Sequence, residues 1–266
     1  MNCRLSNLVT TKPNSVPHVI WKRPALISWH RGGSELAAHA SPEAFRCAIE
    51  HPAELIEIDV RATADGQLVV WHDYVTPNGE AIHLQTLEAV QQQTHVWRWD
   101  EFVSALAQDD PHHAIGVHLD LKDTGYELDA VDPLISLGQP FFVTSLEQSS
   151  IALLRRERPH EDAFLTIGQA RESRSLLSYA VLRFSEMFPM RALRRTSATG
   201  VAIHVSLLRP HLRWWLARRN LRVVVWTVNS TVAINDMLRT SVVDAVTTNF
   251  PLKAIALRST LAEEGK

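Results

Sequence analysis

The residues best equipped for chemistry stand along one side, or at the ends, of short apolar runs. ISWHRGG (27–33) sets His30 beside Arg31 and then two glycines, so a base that titrates near neutrality adjoins a fixed cation where the backbone can turn sharply. LIEIDVR (55–61) alternates, with Glu57, Asp59 and Arg61 on one face of a strand and Ile56, Ile58 and Val60 on the other. GVHLDLK (116–122) repeats the pattern with His118, Asp120 and Lys122 opposite Val117, Leu119 and Leu121, and LVVWHD (68–73) ends in His72 and Asp73. Glu57, Asp59 and Asp120 make an all-oxygen set suited to a hard divalent cation, Mg²⁺ or Ca²⁺, and no Cys–His cluster competes for zinc. His30 and His72 beside such an ion, with the cations Arg31 and Lys122, suit phosphoryl transfer. Positive charge neutralises the phosphate oxygens, one histidine takes a proton from the nucleophile and the other gives one to the leaving group. A plainer reading of the same residues pairs Glu57 and Asp59 with Arg61 and Lys122 as structural charges.

Positioning these groups requires strands. Nine candidates occur, ALISW (25–29), LIEIDVR (55–61), LVVWH (68–72), IGVHLDL (115–121), FFVT (141–144), FLTI (164–167), VAIHV (201–205), VVVWTV (223–228) and AVTT (245–248). Helical patterns run from Pro42 to Glu50, Leu84 to Gln93, Asp100 to Gln108, Ser149 to Arg158, Arg209 to Arg219 and Val232 to Arg239. This alternation predicts βαβ units around a parallel sheet, and 266 residues suit one α/β domain, a (β/α)₈ TIM-type barrel of roughly 250 residues. The ninth strand is accounted for by Asp65-Gly66, a hairpin turn signal between the second and third runs, which makes one of that pair an accessory strand. In an antiparallel sheet the charged faces would simply be wet; in a barrel they point inward, where charges persist only if paired, hydrogen-bonded or bound to metal. The expected limits are an N-terminal tail over 1–22, the barrel over 23–258 and a C-terminal tail over 259–266, with the pattern blurred between 170 and 198.

Composition narrows the function. With 45% apolar and 21% charged residues the chain reads as an ordinary soluble globular protein, and a net charge of −2 without a basic motif gives no reason to expect nucleic acid. Arginines crowd the second half, in RRERPH (155–160), RALRR (191–195) and RPHLRWWLARRNLR (209–222). The solvated face of outer helices is the expectation, a membrane-contacting patch the alternative. Two cysteines, Cys3 and Cys47, are too few for a disulfide framework, and the first twenty residues lack the apolar core of a secretory signal, so a cytoplasmic location is expected.

The ordered set His30-Arg31-Gly32, Glu57-Ile58-Asp59, Val69-Val70-Trp71-His72-Asp73, Asp120-Leu121-Lys122, Trp226-Thr227-Val228-Asn229 and Thr248-Asn249-Phe250-Pro251 resembles the glycerophosphodiester phosphodiesterase family. The resemblance implies a barrel that hydrolyses a small-molecule glycerophosphodiester to an alcohol and glycerol 3-phosphate with a divalent cation. Glu57, Asp59 and Asp120 would hold the metal, His30 and His72 would be the acid/base pair, Arg31 and Lys122 would grip phosphate, and Trp226 would line the site near the glycerol or alcohol. The chain departs from the family pattern in several places. Ala38-His39-Ala40-Ser41 replaces the usual Pro-Glu-Asn-Thr, although Ser41 before Pro42 still suits a helix N-cap. Asp120 stands for a common Glu, Asn249 for a common Asp and Leu146 for a common aromatic, and the segment after His72 is compact. Two alternatives follow, a phosphodiesterase acting on lysophospholipids and a barrel that binds without turnover.

Overall fold

The protein is described from a computed structural model over residues 19, 21–51, 53–168, 189–219 and 221–264. Nine strands form one sheet: β1 (Leu26–His30), β2 (Leu55–Ala62), β3 (Leu68–Val70), β4 (Gly116–Leu121), β5 (Phe141–Ser145), β6 (Asp162–Ile167), β7 (Gly200–His204), β8 (Arg222–Trp226) and β9 (Ala245–Thr248). Eight of them pair in parallel in the order β1-β9-β8-β7-β6-β5-β4-β2, and a β1–β2 pairing closes the ring. The ninth is β3, antiparallel on β2 through Val60↔Val70 and Ala62↔Leu68, as the Asp65-Gly66 turn predicts. The chain is therefore a (β/α)₈ barrel with one hairpin strand added.

The outward aliphatic faces meet a ring of helices: α1 (Pro42–Glu50), α2 (Leu87–Gln91), α3 (Trp99–Asp109), α4 (Glu127–Leu137), α5 (Gln148–Glu157), α6 (Met190–Thr196), α7 (Pro210–Leu216), α8 (Thr231–Arg239) and α9 (Pro251–Glu264). Ile56, Ile58 and Val60 of β2 and Val117, Leu119 and Leu121 of β4 all enter this shell core, with Phe102 of α3 and Leu134 of α4 among their buried neighbours. Ser41 caps α1 as expected, accepting from the Ala44 amide at 3.1 Å. Helix α2 is shorter than its apolar pattern, because Thr86 caps it by accepting from the Ala89 amide and a 3₁₀ turn takes Ile82–Leu84. Three of the described helices escape the sequence pattern: α4 carries Pro133 inside it, α6 lies in the blurred stretch, and α9 runs on through Glu264 across the segment expected to be a tail.

Below the charged residues the barrel interior is apolar. Phe142, Phe164, Leu55 and Val224 fill it, and Val19 and Trp21, from the segment expected to be a tail, pack beneath them. Trp21 lies 5.2 Å from the Phe142 ring and 5.7 Å from that of Phe164. The rest of the expected N-terminal tail (1–18 and 20), with Cys3, and most of the blurred stretch (169–188) lie outside the described residues. Among the described residues no helix is long and apolar enough to cross a membrane.

Candidate active site

The C-terminal ends of the strands surround a cleft of about 490 Å³, and His30, Arg31, Glu57, His72, Asp120, Lys122 and Trp226 line it, with Asp59 lining an adjoining one. His30 closes β1. The turn after it puts Arg31, Gly32 and Gly33 all at positive φ, and a Cβ on Gly32 would stand 2.6 Å from the Ala44 carbonyl carbon, so that glycine lets α1 approach the loop. The turn also aims the Arg31 amide at Glu57 Oε2, 2.9 Å away. His30 Nδ1 lies 2.5 Å from Asn249 Oδ1 and 3.3 Å from His39 Nε2. The two family departures, His39 and Asn249, thus meet at one histidine. Burial, then the positive charge of Arg31, lowers the His30 pKa to about 3.

The carboxylates sit on neighbouring strands. Glu57 is 4% exposed and Asp59 2%, and Asp59 pairs across the β2–β4 register with Asp120. Lys122 Nζ lies 2.7 Å from Asp59 Oδ1 and also contacts Asp120, while Arg31 Nε lies 2.7 Å from Asp59 Oδ2. Burial alone would raise the Asp59 pKa, but Lys122 and Arg31 outweigh it and hold the group ionised. The same attractions, from Asp120 first, overcome the burial penalty on Lys122 and hold it charged. Glu57 behaves oppositely: burial and the negative charge of Asp59 push its pKa well above the usual range. Arg61 does not join this cluster. It pairs with Asp123 at 2.6 Å and donates to the His72 carbonyl at 3.0 Å, so it anchors the strand end that carries His72. His72 itself has Nδ1 2.7 Å from Asp73 Oδ1, and burial lowers its pKa.

The residues present fit a divalent cation. Ligand oxygens of Glu57, Asp59 and Asp120 all lie within 4.8 Å of one another. Both Asp59 oxygens are buried without an aligned hydrogen-bond donor, although two cations adjoin them. Three carboxylates face two cations, so one negative charge is in excess, and Glu57 is the group driven toward protonation. A hard cation relieves both conditions, whereas an anionic phosphate approaching without it meets net negative charge.

Among the described residues, the opposite wall, from β6 to β9, is lined by uncharged side chains. Thr166, Ala202, Trp226, Thr227 and Thr247 line it, and Thr166 Oγ1, Thr247 Oγ1 and Trp226 Nε1 are buried without hydrogen-bond partners. The threonines carry no motif, and alternation within β6 and β9 is the one signal in the sequence that turns them inward.

Residues 30–114 match the model of the glycerophosphoryl diester phosphodiesterase family. That match bears out the resemblance carried by the motifs over this segment. The matched segment holds His30, Arg31, Glu57, Asp59 and His72; Asp120, Lys122 and Trp226 lie beyond it. Solved structures share the fold over nearly the whole chain. A glycerophosphodiester phosphodiesterase from Parabacteroides distasonis is 21% identical, with a TM-score of 0.71 covering 90% of this chain and 98% of that one. One from Agrobacterium tumefaciens is 21% identical, with a TM-score of 0.64 over 87% and 99%. A phosphodiesterase from Oleispira antarctica, in complex with the product sn-glycerol-3-phosphate, is 19% identical, with a TM-score of 0.69 over 88% and 96%. No curated protein matches the sequence.

Proposed function

We propose that the protein is a metal-dependent phosphodiesterase that hydrolyses glycerophosphodiesters to an alcohol and glycerol 3-phosphate. The observation that carries this reading is the convergence in one cleft of His30, His72, Arg31 and Lys122 with three clustered carboxylates. Glu57, Asp59 and Asp120 would hold Mg²⁺ or Ca²⁺, which when bound supplies positive charge against the phosphoryl oxygens. With a divalent cation added, the cluster carries one positive charge in excess, which a diester monoanion neutralises.

Arg31 and Lys122 face the phosphate and orient it. Asn249 accepts the His30 Nδ1 hydrogen and so leaves Nε2 as the bare nitrogen, which assigns His30 the role of base toward the attacking water. Asp73 fixes the His72 ring through Nδ1, and Asp59 and Asp73 oppose the burial that lowers its pKa, so in this reading His72 delivers the proton to the departing alcohol oxygen as its bond to phosphorus breaks. The uncharged wall with Trp226 receives the glycerol or alcohol portion.

The test is release of glycerol 3-phosphate from glycerophosphocholine, glycerophosphoethanolamine and glycerophosphoglycerol, with Mg²⁺, with Ca²⁺ and with chelator, wild type beside His30→Ala. Release that needs the cation and is lost in the variant is expected; background rates on all three diesters with metal present would overturn the reading. A second reading, lysophospholipids as substrates at a membrane surface, is favoured by Trp214 on α7, which is 59% exposed with the Arg218 guanidinium 3.8 Å above its ring. Absence of binding to anionic vesicles at low salt would remove it.

A further inference from the structure

The floor of the cleft holds a histidine that the proposed chemistry does not use. His118 is 3% exposed, two residues before Asp120 on β4, and stacks on Phe142 with ring centroids 4.5 Å apart. Its Nδ1 lies 3.2 Å from Ser28 Oγ and its Nε2 3.1 Å from Thr144 Oγ1; the Thr144 hydroxyl in turn donates to Asp120 Oδ1 at 2.5 Å. Proton positions follow from the Asp120 end. Asp120 is ion-paired with Lys122 and therefore accepts, so the Thr144 hydrogen points at it. The Thr144 oxygen is left as an acceptor, which requires a hydrogen on His118 Nε2, and Ser28 satisfies Nδ1. Four side chains from β1, β4 and β5 form one directed chain ending on a carboxylate.

We propose that His118 and Thr144 are positioning residues that hold the Asp120 carboxylate in the orientation in which it ligates the divalent cation. The proposal rests on the reading of Glu57, Asp59 and Asp120 as the cation site. An aspartate side chain turns about two bonds, and the Lys122 ammonium that touches its other oxygen is a point charge without directional preference. The Thr144 hydroxyl supplies direction. Thr144 is β-branched, fully inside the barrel and opposite Asp120 in the β4–β5 register, and His118 occupies the remaining valence of its oxygen. Partners of this kind set metal affinity as strongly as some ligands do.

The experiment is calorimetric titration of Mg²⁺ and of Ca²⁺ into the purified full chain and its variants, each checked for folding by circular dichroism. Thr144→Val and His118→Leu are expected to weaken cation affinity about tenfold to a hundredfold, whereas Thr144→Ser and His118→Gln, which keep the hydroxyl or the donor and acceptor, stay within about threefold. Should a single variant fail to fold, the double variant His118→Leu/Thr144→Val removes both polar partners together, tends to preserve packing, and is expected to show the same weakened binding. A merely structural role would lower the melting temperature without this rescue by conservative side chains. Wild-type affinity in Thr144→Val or in the double variant would overturn the brace and leave the cation site standing. A wild-type chain that binds neither ion would overturn both.

Discussion

The two walls of the cleft are built on opposite plans. On the β1–β2–β4 side nearly every polar group is already engaged: Asp59 lies between Arg31 and Lys122, Asp120 between Lys122 and Thr144, Arg61 between Asp123 and the His72 carbonyl. On the β6–β9 side Thr166, Thr247 and Trp226 keep buried donors with no hydrogen-bond partner among the described residues. Groups that must act on a developing charge gain from being fixed beforehand, because no reorganisation is then needed during the reaction. Groups that recognise a hydroxyl gain from an open valence, since an unmet donor rejects a ligand that cannot pair with it. Under the proposed function, the contrast would separate chemistry from selection within one barrel mouth.

The largest effect should come from the engaged wall. His30→Ala and His72→Ala are each expected to lower kcat on the order of 10²- to 10⁴-fold with the fold intact, measured by glycerol 3-phosphate release; rates near wild type in either would erase the distinction between the walls. Next is Lys122→Met, which leaves Asp59 and Asp120 without their shared buried cation and should destabilise the chain by about 3–5 kcal/mol in urea unfolding. A loss under about 1 kcal/mol would mean that the carboxylates are far less buried in solution than the packing shows.

Acid sharpens the comparison further. Burial holds the His118 pKa at about 3, below its ordinary 6.5, so the unfolded chain takes up a proton that the folded chain refuses. The group is neutral in both states above 6.5, and stability declines as pH falls from there toward 3. His118→Gln lacks that proton, so the wild-type stability relative to the variant should fall by about 1.4 kcal/mol per pH unit over this window. Parallel curves would show that His118 is not sealed from solvent. The smallest effect is expected across the cleft. Thr247→Val removes a buried hydroxyl that has no partner, so stability should hold or rise by about 1 kcal/mol while KM for glycerophosphodiesters rises a few-fold. Unchanged KM would assign the open valence to water.

What was legible in the sequence divides along the same line. Strand alternation placed Glu57 and Asp59 on one face of their strand and Asp120 and Lys122 on one face of theirs, because a side chain's face depends only on its own strand, and the barrel reading turned those faces inward. The Asp65-Gly66 turn narrowed the surplus strand to one of a pair, and the structure shows it to be β3. Partnerships were less legible. The plainer alternative set Arg61 against Glu57 or Asp59, whereas it meets Asp123, just past the end of β4, whose position depends on the loop. The tie between His30 and Asn249 spans 219 positions, and His118 gains its partners Ser28 and Thr144 from two other strands, neither residue being part of a motif. Helix α4 was missed because Pro133 normally ends a helix, although this one continues to Leu137.

Closure of the ring gives the site a temporal property. His30 stands on the first strand, while Asn249, which fixes its ring, follows the last, and β1 meets β9 along Leu26↔Ala245 to Trp29↔Thr248. Ser34 and Glu35 tie the loop after His30 to the same distant segment, through the Asn249 carbonyl and the first amides of α9. A chain emerging from the ribosome carries this loop early, and its ties to Asn249 and α9 wait until some 220 further residues have been made and docked. Turnover therefore works as a clock for the final docking step of folding, and a refolding assay read by activity should lag one read by helix formation.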